Sequence, residues 1–84
     1  VYYVGMRFTQ YFLHTHKRSD RRDIKIEWIE QVVANPLKEI VQSDGRIKKW
    51  GRILEAGGKY LRVVLLEDGL TVHNAFFDRG FREV

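Results

Sequence analysis

The chain contains no cysteine, a single proline and no apolar run approaching the roughly 20 residues that span a bilayer. The missing cysteines exclude a disulfide framework and any thiolate zinc site, and three histidines at mixed spacing do not replace one. A reducing cytoplasm fits such a composition. The missing apolar run leaves no membrane-spanning helix, and the first residues lack the charged n-region and apolar h-region of a signal peptide. A soluble cytoplasmic protein is therefore expected, with no membrane partner, no metal and no cofactor. Repeats and low-complexity segments are absent as well. The 84 residues hold one domain, residues 1–84, with a modest core. A hydrophobic fraction of 44% and an aromatic fraction of 13% belong to a folded domain rather than a disordered tail.

Charge of one sign is scarce where the other is concentrated. Residues 46–62 carry Arg46, Lys48, Lys49, Arg52, Lys59 and Arg62 against Glu55 alone, a balance of +5. Residues 14–25 carry Lys17, Arg18, Arg21, Arg22 and Lys25 against Asp20 and Asp23, a balance of +3. Two basic segments interleaved with aromatic residues form an electrostatic footprint for a polyanion, since each neutralised phosphate releases counterions. A solvated charged face that meets an acidic protein is the plainer alternative.

Two helices are expected first. Trp28, Ile29, Val32 and Val33 recur at helical spacing over residues 26–34, with Glu27 and Glu30 in the N-terminal part and Pro36 as the stop. Thr9 can cap an earlier helix over residues 10 to about 19, with Phe8, Phe12 and Leu13 available for burial. Beyond Pro36 the period changes from 3.6 to 2, giving strands over residues 39–42, 46–53, 60–66 and 70–77. At Asp44-Gly45, a three-residue loop with a bulge pairs Val41 with Ile47 and Glu39 with Lys49, matching apolar with apolar and acid with base. Residues 55–58 connect the two hairpins. At Asp68-Gly69, a two-residue type I′ turn pairs Leu65 with Val72, Val64 with His73 and Arg62 with Ala75. Arg62 and His73 then become diagonal neighbours on one face. The expected fold is α+β: two N-terminal helices followed by an antiparallel four-stranded meander, with the helices packed on one face of the sheet. Residues 1–5, containing Val1-Tyr2-Tyr3-Val4, read either as a further edge strand or as an extension upstream of an initiator at Met6.

The order and spacing of "FT" at Phe8-Thr9, "IKIEWIEQVVANP" at residues 24–36, "DGRIKKWGRI" at residues 44–53, "GGKYLRVVLLEDGLTVHNAFFDR" at residues 57–79 and the late Phe81 span nearly the whole chain. They resemble a family of small bacterial domains of unknown function within the RelE/BrnT-like toxin superfamily, whose toxins are ribonucleases, ribosome-dependent or free, paired with antitoxins. The resemblance implies a toxin-like RNA-cleaving domain, RNA as ligand, on the ribosome or free, and a cognate antitoxin as partner. It places Arg62 where such toxins carry an arginine facing RNA on a central strand. Lys48, Lys49 and Arg52 fall on the strand where cationic residues concentrate, and His73 and Arg79 in the region that acts on the scissile phosphate. Where the family often carries a histidine two residues after the threonine, this chain has Tyr11.

Metal-independent RNA cleavage needs a base for the 2′-hydroxyl, a cation for the crowded phosphate and an acid for the leaving oxygen. Arginine suits the second task, being planar, permanently charged and bidentate. Arg62 is the candidate clamp, His73 the acid–base candidate, and Asp78 a residue that could orient His73 or Arg79. Arg46, Lys48, Lys49, Trp50, Arg52 and Lys59 are the candidate RNA-binding residues. Plainer roles stand beside these. Arg62 could be the solvent-facing residue of a half-exposed strand, His73 a hydrogen-bonded structural residue and Trp50 a core residue packed against a helix. Trp28 reads as core, and His14 and His16 as surface residues on different sides of their helix. A noncatalytic module of the same fold would bind RNA or an acidic protein, and a third kind of domain would pair its sheet edge with a partner strand or a second copy of itself.

Overall fold

The computed structural model describes residues 6–18 and 21–83, so the expectations for residues 1–5, Ser19 and Asp20 lie outside it. The chain forms β1 (Arg7–Phe8), α1 (Gln10–Thr15), α2 (Ile26–Ala34), β2 (Lys38–Val41), β3 (Ile47–Ile53), a 3₁₀ turn (Leu54–Ala56), β4 (Lys59–Leu65) and β5 (Thr71–Phe77). Among the described residues five strands make one sheet in the order β1-β5-β4-β3-β2. The α+β class fits the sequence reading, but the four-stranded antiparallel meander is corrected to a five-stranded mixed sheet, because β1 joins β5 in parallel. A two-residue strand is too short to display a period of 2. Its backbone declares it instead: the Arg7 amide donates to the Leu70 carbonyl at 3.1 Å and the Thr9 amide to the Val72 carbonyl at 3.0 Å.

Thr9 ends β1 and starts α1, its hydroxyl accepting the Phe12 amide at 3.0 Å. The helix then stops at Thr15, well short of the expected residue 19. The Thr15 hydroxyl donates back to the Tyr11 carbonyl at 3.0 Å, a local bond that competes with continued helix. No apolar stripe beyond Phe12 pulls a longer helix onto the sheet, and Leu13 remains 45% exposed. By contrast α2 occupies the expected residues, burying Trp28, Ile29, Val32 and Val33. They join Phe12 and Ile24 against Ile53, Leu61, Val63, Leu65, Val72 and Ala75 in one core. Each fully buried Leu, Ile or Val there contributes roughly 1.5–3 kcal/mol.

The first hairpin has the expected register, Val41 opposite Ile47 and Glu39 opposite Lys49, with Gly45 at φ +90° closing its loop. The second does not. Gly69 has φ +71° while among the described residues no non-glycine has positive φ, so Asp68 does not take the left-handed conformation that a type I′ turn demands. The chain turns instead through Glu67 to Leu70, with the Leu66 amide donating to Thr71 at 2.9 Å and the Asp68 carboxylate accepting the Leu70 and Thr71 amides at 2.9 Å each. Leu65 still meets Val72, but the next pairs are Val64 with Asn74, Val63 with Ala75, Arg62 with Phe76 and Leu61 with Phe77. His73 is the surplus residue of a β-bulge. Past it every side chain of β5 changes face: Ala75 and Phe77 turn to the helices, and Asn74 and Phe76 join Arg62. The expected pairs Val64–His73 and Arg62–Ala75 are thereby overturned.

Gly51 lets α2 lie close to the centre of β3. A Cβ there would stand 2.7 Å from Val32 Cγ2, so helix or strand would have to shift. Gly51→Ala should therefore lower the denaturation midpoint by an amount equivalent to about 1–3 kcal/mol. An unchanged midpoint in chemical denaturation would contradict this packing.

Candidate functional site

Alternation along the strands gathers a distinct set of side chains on the face away from the helices. Lys48, Trp50 and Arg52 come from β3, Tyr60, Arg62 and Val64 from β4, and Asn74 and Phe76 from β5. Cations and aromatic rings alternate across this face. Trp50 is nonetheless buried, because the chain after β5 folds back over it. The Phe81 ring stacks on Trp50 with centroids 5.2 Å apart and planes at 15°, and lies tilted against Tyr60 at 5.0 Å. The Tyr60 hydroxyl donates to the Glu83 carboxylate, which pushes the phenol's pKa above its ordinary value.

Arg62 is held from several sides. Its guanidinium lies 4.7 Å from the Phe76 ring centroid and 5.8 Å from that of Trp50, and Nη1 donates to Asp78 Oδ2 at 3.3 Å. Nε is buried with no hydrogen-bond partner among the described residues. The same Asp78 oxygen accepts the Trp50 indole N–H at 2.9 Å, and Oδ1 accepts the Gly80 amide at 3.0 Å. These donors, the indole first and then the Gly80 amide and the Arg62 guanidinium, outweigh burial and hold the Asp78 carboxyl below its ordinary pKa.

Beside this cluster, where β4 begins and β5 ends, opens a cleft of about 460 Å³ lined by Arg21, Lys59, Tyr60, Phe76, Phe77, Asp78 and Arg79. Its size is that of a small-ligand site. Among the described residues three cations and three aromatic rings line it, with Asp78 as the one carboxylate. Arg21 arrives from the connection between α1 and α2. Its Nη1 donates to Asn74 Oδ1 at 2.6 Å and its guanidinium lies 5.1 Å from the Phe76 ring centroid, so Phe76 carries two guanidinium groups. Lys59 Nζ lies 5.6 Å from the Phe77 ring centroid, and Arg79 is exposed.

His73 belongs to another neighbourhood. Nδ1 is 3.1 Å from Thr9 Oγ1, and the ring stacks on Tyr11 with centroids 4.8 Å apart. Burial first, and the charge of Arg46 second, lower its pKa below the ordinary 6.5. His73 is three residues from Phe76, the partner of Arg62, or about 10 Å along β5. The Arg62 guanidinium points towards Phe76 and Asp78. The expected Arg62–His73 pairing is therefore not formed, and Asp78 engages Arg62 and Trp50 rather than His73.

The candidate RNA-binding residues also divide. Lys48 and Arg52 share the face of Arg62, whereas Lys49 points to the helices, its Nζ donating to the Val33 carbonyl at 3.0 Å and lying 3.6 Å from Glu39. Strict alternation separates Lys48 from Lys49, so they do not form one track. Arg46 sits at the first hairpin, 4.0 Å from Asp44, and Lys59 lines the cleft. Trp50 packs against Phe81 and Arg62 on the open face, not against a helix. His14 is exposed as expected, whereas His16 stacks on Phe12 at 5.0 Å and has a buried Nδ1 without a partner among the described residues. Arg21, Tyr60, Phe76 and Phe77 are not among the residues that the sequence pattern singles out for the site. Phe76 and Phe77 were legible as a doublet before Asp78, but the bulge decides which of them faces Arg62. Arg21 comes from a connection with no periodic signal. No protein-family model, curated protein or solved structure matches the chain.

Because the folded Asp78 carboxyl titrates below its unfolded value near 3.8, its charge stabilises the fold above that value and the gain is lost as the pH falls through the folded one. Asp78→Asn should cost about 1–2 kcal/mol at neutral pH, and its deficit relative to wild type should shrink as the pH drops from about 5 towards 2. A deficit that stays constant across that range would show that the carboxylate charge contributes nothing.

Proposed function

We propose that this domain binds single-stranded RNA at the cleft and the adjoining open face of the sheet. The carrying observation is the convergence of Arg21, Lys59 and Arg79 with Tyr60, Phe76 and Phe77 around one concavity of about 460 Å³. Unpaired bases offer π-faces to the half-buried rings at the cleft, and the linking phosphates offer negative charge to the cations between them. A duplex hides the first of these features. RNA rather than DNA is favoured by the resemblance to RelE/BrnT-like toxins, which also supplies a cognate antitoxin as the protein partner.

Toxin-like, metal-independent cleavage of the bound RNA is a second reading, and one observation favours it. Thr9 Oγ1 stands 3.1 Å from Nδ1 of His73, and burial lowers the imidazole's pKa, which favours the neutral form a general base requires. As a phosphate clamp Arg62 would share its charge with Asp78. Binding at the cleft without cleavage does not call on Arg62, and for that reason it is the first reading.

Fluorescence anisotropy with a labelled single-stranded oligoribonucleotide tests both. Affinity should fall with salt, and Arg79→Ala should weaken binding and reduce the log–log salt slope by roughly 0.7, the share of one phosphate contact on a single strand. Affinity insensitive to salt would contradict the proposal. Shortened RNA in the same mixtures, lost in His73→Ala while binding persists, would establish cleavage. Intact RNA under saturating binding would assign the domain to the noncatalytic class.

A further inference from the structure

Residues after Asp78 lie on the open face in a manner that resembles a ligand more than a strand. Asp78 itself is anchored, its amide donating to the Tyr60 carbonyl at 2.9 Å. Beyond it the Phe81 amide bonds back to Asp78, and among the described residues no backbone hydrogen bond ties residues 79–83 to the sheet. Side chains hold the tail instead: the Phe81 ring on Trp50, the Glu83 carboxylate on the Tyr60 hydroxyl and, at the root, the Asp78 carboxylate on Arg62 and the Trp50 indole. The pattern is an anion, a planar ring and an anion. A nucleotide step presents the same sequence of chemistry as phosphate, base and phosphate. The near-parallel 15° contact of Phe81 on Trp50 is the geometry a base adopts on an indole. Arg62 meanwhile keeps a buried Nε donor unused, and the oxygen it does engage is shared with the indole.

Resting on the RNA-binding reading above, we propose that Trp50, Tyr60 and Arg62 form a nucleotide subsite next to the cleft, occupied in the free protein by residues 80–83, with Phe81 and Glu83 as the internal mimic while Arg79 stays with the cleft. The RNA strand and the tail compete for it. Attachment by side chains, with no backbone hydrogen bond to the sheet among the described residues, lets residues 80–83 leave this face without breaking a strand pair. The cleft takes one part of the strand, and the subsite takes the neighbouring base once Phe81 leaves Trp50.

Anisotropy with a labelled hexauridylate, read for wild type, Phe81→Ala and Glu83→Gln, decides the matter, with thermal melts confirming that each variant is folded. Release of the competing ring should tighten binding by Phe81→Ala about threefold to tenfold. Glu83→Gln removes one charge with little change of shape and should shift affinity the same way by a smaller factor, so it carries the test should Phe81→Ala fail to fold. Hexauridylate should also quench indole fluorescence more in Phe81→Ala than in wild type. Folded variants that bind as wild type does, or more weakly, would overturn the competition while leaving the cleft as an RNA site. Absence of binding by wild type and both variants at low salt would overturn the RNA-binding reading, and this inference with it.

Discussion

β5 holds one residue more than β4 can pair, and the surplus at His73 turns over the rest of the strand. Ahead of the bulge Val72 faces the helices. Behind it Ala75 and Phe77 do, although an uninterrupted strand would have presented Asn74 and Phe76 there. Burying Asn74 on the helix side of the sheet would leave a side-chain amide without water, a cost the bulge avoids by delivering alanine and phenylalanine to the core instead. The same shift carries Asn74 and Phe76 to the open face, where Arg21 and Arg62 meet them. Core and candidate site thus depend on one irregularity.

A second dependence runs through Asp78. Its carboxylate accepts from an indole, a guanidinium and a backbone amide, fastening the end of β5 to β3 and β4 through side chains. Arg62 is consequently neither a free surface cation nor a buried structural one. It is a partly exposed guanidinium with one acid and two rings around it. Asp78 takes one of its five N–H donors and offsets its charge. Lys59 and Arg79 are exposed at the rim of the cleft, and for that reason the proposed RNA site is placed at the cleft before Arg62.

Much of this architecture can be read from residue order. The stripe Trp28, Ile29, Val32 and Val33 and the stop at Pro36 define α2 to its ends, and the pairing of Glu39 with Lys49 and Val41 with Ile47 selects the first hairpin's register. Other features have no local signature. β1 is two residues long and exists only through its bonds to β5. The bulge is chosen by the burial preferences of Ala75 and Phe77 over those of Asn74 and Phe76, a tertiary comparison that "DG" between apolar runs does not reveal. Of the site, the basic character and the Lys48–Trp50–Arg52 alternation were legible. The division of Lys48 from Lys49 was equally available from period 2, whereas the arrival of Arg21 and the folding of Phe81 onto Trp50 are products of the assembled sheet.

The central claim is that a single-stranded RNA engages the cleft and the open face, and backbone-amide NMR during titration with a short oligoribonucleotide at low salt tests it most directly. The account predicts shifts concentrated at Arg21, Lys59, Tyr60, Phe76, Phe77 and Arg79, together with the Trp50 indole N–H, and little change along the exposed residues of α2 and β2. Shifts centred on α2 or β2, or none at saturating RNA, would contradict it.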